Sequence, residues 1–272
     1  MRDVDRKSQK AIEEAETRLQ KFMRDFDRFY ANTLDEILEG LREGKVTAIE
    51  AAKRLGALHE KLREAGLGEQ IAEIERLYAY ELRSVAEELA AISAEIGPVA
   101  MLSDVDIDFA EALVTFDVEK IENRILVTGN SLRSEVMRQV LGPGGYVETR
   151  GLREEYGKKL GHQIETEIRT GVSSFHQTLI NNKAQELDFD LWVYIGPLDK
   201  ITRPLCRHIL ETQDVWTSKE RKALNNHPTK SGNLPVETYG GGYNCRHQWS
   251  PISEKRAKRD YGYNGTEKHD KA

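Results

Sequence analysis

The sequence predicts a mainly α-helical protein, in which a long-helix N-terminal body precedes a small C-terminal α+β module. Two features lead to this fold class. Over roughly the first 190 residues, apolar side chains recur at steps of three and four, the period of a helix buried along one face. Beyond residue 190 this pattern stops, and five of the seven prolines and a run of three glycines lie there. The main boundary is therefore expected near Leu191.

The composition excludes several classes of protein. With 272 residues, of which 39% are hydrophobic and 32% charged, the chain can form a core and is not a disordered protein. No run of about 18 apolar residues occurs, so we expect no membrane span. The charged N-terminus predicts no signal peptide. Two cysteines are too few for a disulfide scaffold, which fits synthesis in a reducing compartment.

The net charge of −6 is unevenly distributed along the chain. Residues 191–272 contain 14 Lys and Arg against 9 Asp and Glu, a balance of +5, whereas residues 1–190 contain 26 against 37, a balance of −11. A basic C-terminal part permits contact with nucleic acid or with an acidic partner, without requiring either.

Apolar stripes predict a helical bundle or coiled-coil-like region over residues 1–98. The first stripe includes Ile12, Leu19 and Phe26 and predicts a helix over roughly residues 6–41. A later stripe ends at Gly97-Pro98 and contains Ile71, Ile74, Tyr78, Val85, Leu89 and Ile92. Such stripes serve either to bind partner helices or to form an intramolecular antiparallel bundle, and short loops favour the bundle.

Residues 99–190 are predicted to continue the helical body. Ser103 followed by Asp106 is typical of a helix start, and the glycines after Leu141 end that helix. A further helix is expected from about Thr149 to Glu186, where Gly157 and Gly161 indicate either close helix packing or breaks.

The module over residues 191–252 contains strands and short helices. Leu191–Ile195 is rich in β-branched and aromatic residues and predicts a strand. Thr202 is placed to cap a short helix with Pro204 in its first turn, and Ser218 to open another. The glycine run before Asn244 predicts a tight loop that enters a final strand. Residues 253–272 have few apolar side chains and are expected to form a flexible charged tail.

The motifs of this module follow one another in a characteristic order. After the strand come Gly-Pro-Leu-Asp at 196–199, Thr-Arg-Pro at 202–204 and Cys206, and later Gly-Gly-Tyr-Asn-Cys-Arg-His at 241–247 with Trp249. In this order and spacing they resemble the C-terminal domain of phage Mu F-like minor head proteins, also called phage head morphogenesis proteins. The resemblance covers roughly residues 150–252. Its motif residues are Asp199, Thr202, Arg203, Cys206, Gly241, Asn244, Cys245, Arg246, His247 and Trp249.

The resemblance implies a minor structural protein of a bacteriophage head. Such a protein is made in the cytoplasm of the host bacterium, associates with portal and capsid proteins during assembly, and is carried in the virion in an oligomeric association. The family provides no catalytic residues that can be transferred to this chain. The alternative is a DNA-associated or metal-dependent DNA-cleaving protein that acts in packaging or ejection.

Two Cys-x-His pairs raise the question of a metal. Cys206 with His208 and Cys245 with His247 offer the thiolate and imidazole ligands of a structural zinc site. On a helix, Cys206 and His208 point in different directions, which leaves His227 as a substitute ligand. The alternatives are a Cys206–Cys245 disulfide or close thiol pair, or cysteines that are only packed, so no cofactor is assigned beyond this possible zinc.

An enzymatic site is not expected. Histidines and asparagines near the cysteines invite comparison with His-Asn-His nucleases, namely His208, Asn225, Asn226, His227 and His247. The sequence lacks the Asp-His pair and the ligand spacing that such a site needs. Phosphate-binding loops and hydrolase motifs are also absent from it.

A module of about 60 residues has a marginal core, which predicts how its motifs meet. Trp192, Trp216 and Trp249 are expected to form one cluster with the segments that carry the two cysteines. Arg203 or Arg246 is then expected to reach Asp199 or backbone carbonyls, because an unpaired buried charge is costly.

Overall fold

Long helices and one small sheet make up the protein. The computed structural model describes residues 3–39, 50, 53, 55–56, 58–97, 101–142 and 147–265. Of these residues, 75% are helical, and the strands form one three-stranded antiparallel sheet. The predicted fold class is therefore confirmed.

Along the chain, the helices of the body precede the strands and short helices of the module. The elements are α1 (Asp3–Glu39), α2 (Leu58–Glu64), α3 (Leu67–Ile96), α4 (Asp104–Leu141), α5 (Thr149–Glu186), β1 (Leu191–Ile195), α6 (Pro204–Thr212), β2 (Trp216–Thr217), α7 (Ser218–Ala223), a 3-10 helix (Leu224–Asn226), α8 (Val236–Tyr239), β3 (Gln248–Ile252) and α9 (Glu254–Tyr261). The predicted bounds of α5 and β1 agree with the structure. None of the helices within the described part of the chain is long and apolar enough to cross a membrane.

The residues divide into two compact units that cross the predicted ranges. One unit comprises residues 1–17, 77–114 and 169–272, and the other comprises residues 18–76 and 115–168. Neither 98/99 nor 190/191 is a boundary between them, because the divisions fall inside the four long helices rather than at the loops between elements.

The second unit has a core of aromatic and aliphatic side chains. Phe26 of α1 lies between Phe22 and Tyr30, with ring centroids 5.8 and 6.4 Å away. Leu132 of α4 and Leu160 of α5 are completely buried. Gly161 allows close packing, since a Cβ atom there would lie 2.4 Å from a carboxylate oxygen of Asp27.

The first unit contains the sheet and the helix segments that surround it. The strand order is β2-β1-β3, with β1 in the centre and antiparallel to both neighbours. Leu191 pairs with Ile252, and Trp192 pairs with Trp216. All five residues of β1 are buried, which explains why its sequence is a continuous apolar run.

The prediction of a flexible tail over residues 253–272 is wrong for the first part of that range. Glu254–Tyr261 is a helix whose N-cap Ser253 accepts a hydrogen bond from the backbone N–H of Arg256. Ala257 is completely buried in a cluster with Leu191, Val193 and Ile195. The helix packs on the sheet through Ala257, and Arg256 is buried beside it, whereas Glu254, Lys255, Lys258 and Arg259 are exposed. Residues 266–272 lie outside the described residues.

The predicted capping of the first short helix of the module is also wrong. The N-cap of α6 is Arg203, without a side-chain cap. The Thr202 hydroxyl instead accepts from the Asp199 N–H at 2.8 Å and donates to the Pro197 carbonyl at 3.0 Å, so it closes the turn before the helix. In α7 the cap is Thr217, which forms a capping box with Glu220.

Candidate functional site

The two motif segments of the module, residues 196–206 and 240–249, lie against each other. Two N–H groups of the Arg246 guanidinium donate to the two carboxylate oxygens of Asp199, both at 2.9 Å. Arg203 donates to the backbone carbonyls of Gly241 and Tyr243. Both arginines therefore act as predicted, and together they join the first segment to the second.

The Asp199 carboxylate is held in its charged form. The hydrogen bonds from Arg246 are the largest cause, and hydrogen bonds from Thr202 and from the backbone N–H of Ile201 add to it, so its pKa lies well below the ordinary value. The same pair raises the pKa of Arg246. The pair remains charged at all physiological pH values.

Beneath this ion pair lies a buried cluster of two thiols and one imidazole. The Sγ atoms of Cys206 and Cys245 are 3.7 Å apart, and Cys245 Sγ is 3.7 Å from Nδ1 of His247. The ligand atoms of the three residues all lie within 4.8 Å of one another, and all three side chains are buried. The structure thus shows a close thiol pair of two free cysteines. We refer to these three residues as the Cys-Cys-His cluster.

Tyr194 of β1 closes one side of the cluster. Its hydroxyl oxygen lies 3.4 Å from Cys206 Sγ and 3.7 Å from Cys245 Sγ. Its ring stacks on that of His247, with centroids 5.3 Å apart. Burial is the largest cause that raises the pKa of the Tyr194 hydroxyl, and the neighbouring cysteines add to it.

The two thiols are not equivalent. The Cys206–Cys245 hydrogen bond is the largest influence on both, and it lowers the pKa of Cys245 while raising the pKa of Cys206. His247 and its backbone N–H lower the pKa of Cys245 further. Cys245 is therefore the first of the two to become a thiolate.

Gly240 and Gly241 lie directly against the cluster, at positions where a side chain would collide with it. A Cβ atom on Gly241 would lie 2.3 Å from Cys206 Sγ, and one on Gly240 would lie 2.8 Å from the Tyr194 hydroxyl. Gly240 also has a φ of 52°, a conformation that other residues rarely adopt. The backbone N–H of Gly241 donates to Cys245 Sγ at 3.2 Å. This explains the run of three glycines before Asn244.

Trp249 anchors the second motif segment in the core. It is 1% exposed, and its indole N–H donates to the Val236 carbonyl. The backbone of Trp249 exchanges two hydrogen bonds with the side-chain amide of Gln177 from α5. Its ring lies 6.1 Å from that of Trp216.

Arg221 joins the tryptophans. Its guanidinium lies 3.6 Å from the Trp192 ring centroid and 4.8 Å from that of Trp249, and it donates to Asn181 and to the Glu237 carbonyl. Burial lowers the pKa of Arg221 to about 9. The predicted convergence of the three tryptophans with the two cysteine segments is confirmed, with Arg221 as an additional member.

The structure leaves His208 outside the cluster. Its ring stacks on that of His227 at 4.2 Å, and its Nδ1 lies 3.1 Å from the Thr212 hydroxyl. The prediction that His208 binds a metal together with Cys206 is therefore wrong, and His227 does not replace it. The reason is the helical geometry of α6, which turns side chains two residues apart in different directions.

Asn225 of the nuclease-like set and Asn244 of the second motif segment both have structural contacts. The Asn225 side chain accepts from the Val236 N–H and donates to Glu237 and to the Lys222 carbonyl. Asn244 has a positive φ of 59°, and its backbone N–H donates to Thr170. Both residues fix loops.

Sequence reasoning missed a buried imidazole between two carboxylates. His176 Nδ1 is 2.6 Å from Glu81, and its Nε2 is 3.1 Å from Glu88. Glu88 also accepts a hydrogen bond from Ser250 of β3 at 2.5 Å. Since Glu81 and Glu88 are one heptad apart on α3, their spacing showed that they share a face, but nothing in the sequence placed His176 opposite that face.

Tyr194 and Arg221 were also missed, for different reasons. Tyr194 was assigned to a strand, and the alternation of strand side chains was the available signal that it shares a face with Trp192. Arg221 belongs to a polar run, where a buried arginine has no local signature.

Comparisons of this chain with protein-family models, with curated proteins and with solved structures found no match. The functional interpretation therefore depends on the residues and their geometry.

Proposed function

We propose that this chain is a non-enzymatic minor structural protein of a bacteriophage head, which binds portal or capsid proteins and is carried in the virion. The observation that supports this proposal is the order and spacing of the motifs from Asp199 to Trp249, which resemble those of phage Mu F-like minor head proteins. Production in the host bacterium and oligomeric association in the virion belong to the same proposal.

The contacts of the motif residues agree with a structural role. The polar side chains of Asp199, Thr202, Arg203 and Arg246 bind one another or backbone groups. These hydrogen bonds hold the loop of the first motif segment against the second segment. We therefore infer that the polar groups of the motif fix the positions of surface residues and do not bind a substrate.

Three large apolar side chains are exposed on the two motif segments. Leu198, Ile201 and Tyr243 lie on the two motif segments, and their side chains are 53%, 74% and 57% exposed. Large exposed apolar side chains are common at protein–protein contacts. We assign these three residues to the contact with a head protein.

Co-expression tests the proposal. The chain is produced together with the portal and major capsid proteins of the phage that carries its gene, and the particles are purified by sedimentation. We expect the wild-type chain to co-sediment with the particles at low copy number. If particles form and the chain stays in the supernatant, the proposal is wrong.

Two variants test whether Ile201 belongs to the contact with the head proteins. Ile201→Asp is expected to reduce the amount of particle-bound protein at least tenfold, whereas Leu141→Asp, at a residue that is 73% exposed elsewhere, is expected to bind as the wild type does. If both variants bound the particles equally well, Ile201 would not be part of the interface.

A nuclease assay tests the alternative function. The purified chain is incubated with plasmid DNA and Mg²⁺, Mn²⁺ or Zn²⁺, and we expect no cleavage over several hours. Cleavage that disappears in His208→Ala would contradict a purely structural role.

A further inference from the structure

We propose that Cys206, Cys245 and His247 bind a structural zinc ion, with the hydroxyl oxygen of Tyr194 at the fourth corner of the tetrahedron. This inference does not depend on the phage-head function, because it concerns how the module is held together. The four residues come from β1, from α6 and from the loop before β3.

Four of the six separations between the four proposed ligand atoms are close to those of a tetrahedral zinc site, and the ligand atoms of the two cysteines and the histidine all lie within 4.8 Å of one another. Zinc binds sulfur at about 2.3 Å and nitrogen or oxygen at about 2.0–2.2 Å, so the ligand atoms of a tetrahedral site lie about 3.5–3.8 Å apart. The separation of the two sulfurs is 3.7 Å, and that of Cys245 Sγ and His247 Nδ1 is 3.7 Å. The Tyr194 hydroxyl lies 3.4 and 3.7 Å from the two sulfurs.

The orientation of His247 also fits a ligand. Its Nε2 lies 2.9 Å from the carbonyl oxygen of Pro197. A carbonyl oxygen only accepts, so Nε2 carries a proton, and whenever the ring is neutral the lone pair of Nδ1 faces Cys245 Sγ. Metal-binding histidines commonly donate their second N–H to a backbone carbonyl in this way.

The surroundings of the sulfurs match a closed structural site. The Gly241 N–H donates to Cys245 Sγ, and Gly240 and Gly241 approach too closely for any side chain to stand between them and the cluster. The cysteines and the histidine are each at most 6% exposed. A site closed to solvent, without an open position, is typical of structural zinc rather than catalytic zinc.

A zinc ion here would have a defined role. Binding displaces the proton of each thiol to solvent and replaces weak S–H contacts by metal–ligand bonds. These bonds would connect β1, α6 and the loop before β3. The Asp199–Arg246 pair and the hydrogen bonds of Arg203 also join the two motif segments in this region. A module of this size is one that metal binding commonly stabilises.

Metal analysis of the full-length wild-type chain is the first test. The protein is purified without chelator and with a reductant, and its zinc content is measured by mass spectrometry. We expect about one zinc per chain. Less than about 0.1 zinc per chain, together with no uptake when Zn²⁺ is added to the reduced protein, would overturn the proposal. A Cys206–Cys245 disulfide in freshly isolated, unreduced protein would also overturn it.

Cobalt substitution identifies the ligands. Co²⁺ in a tetrahedral thiolate site absorbs visible light strongly and shows sulfur-to-metal charge transfer in the near ultraviolet. We expect the wild type and His208→Ala to show both features and His247→Ala to lose tetrahedral binding. His208→Ala is the matched control, because it removes a histidine next to Cys206 that lies outside the cluster.

The fourth ligand is tested separately. Tyr194→Phe keeps the ring that stacks on His247 and removes only the hydroxyl group. We expect at least about tenfold weaker zinc binding and a shifted cobalt spectrum. An unchanged affinity and spectrum would overturn the assignment of Tyr194.

Discussion

At the scale of single residues, His176 is the clearest case of a side chain whose charge is set by its surroundings. Burial disfavours the imidazolium, but the hydrogen bonds and negative charges of Glu81 and Glu88 outweigh burial and raise the pKa of His176 to about 10. The imidazolium therefore connects α5 to two turns of α3, and through Glu88 to Ser250 of β3.

This arrangement predicts how stability depends on pH. Because the folded-state pKa of His176 is above the ordinary value of 6.5, its contribution is fully present below pH 6.5 and is lost as the pH rises towards 10. We expect the free energy of unfolding to fall by up to about 5 kcal/mol over this window relative to His176→Gln, which has no proton to lose, because one pKa unit corresponds to about 1.4 kcal/mol. Urea denaturation at several pH values measures the difference.

The control for this prediction is His162→Gln, at an exposed histidine of the same helix. Its stability should change with pH in parallel with the wild type. If the curves of the wild type and His176→Gln were also parallel, His176 would not be charged in the folded protein.

The sequence allowed more of the Cys-Cys-His cluster to be predicted than of the contacts between His176 and its two glutamates. Cys245 and His247 have the i and i+2 spacing of residues on one side of an extended segment, and the predicted helix that contains Cys206 already separated it from His208. The position of Tyr194 above the sulfurs depends on the register of β1 against β3, which local sequence does not determine.

At the scale of elements, β1 and α9 show where sequence reasoning succeeds and where it stops. Leu191–Ile195 was predicted because a buried central strand is apolar on both faces. Glu254–Tyr261 was missed because its mean hydropathy is low, and only Ala257 and Arg256 are buried. A short helix with so few buried residues is stabilised by the sheet on which it packs rather than by its own sequence.

The packing of α9 can be tested by charge insertion. Ala257→Asp places a carboxylate inside the cluster of Leu191, Val193 and Ile252, where nothing compensates it. We expect a loss of about 3 kcal/mol or more in the free energy of unfolding. Lys255→Asp, at an exposed position of the same helix, should change it by less than about 0.5 kcal/mol. Chemical denaturation measures both, and equal small effects would mean that α9 does not pack on the sheet.

At the scale of the whole molecule, helical periodicity predicted the fold class but not the division into units. Apolar residues recur at helical spacing along the long helices without a break, so no local pattern indicates that α1, α3, α4 and α5 each contribute to both units. Which helices contact one another depends on side chains far apart in sequence, as with Lys183 and Asp106, whose charged atoms are 2.6 Å apart.

Hydrogen exchange of the full-length chain tests most directly whether the two motif segments hold the module closed. Trp249→Ala removes a fully buried ring from the second segment, which costs about 3–5 kcal/mol in a well-packed core. We predict that residues 196–206 then exchange at least about 100-fold faster together with residues 240–249, whereas Phe116→Ala, at a 64% exposed residue, leaves both segments protected. Unchanged protection of residues 196–206 in Trp249→Ala would contradict the closure of one segment by the other.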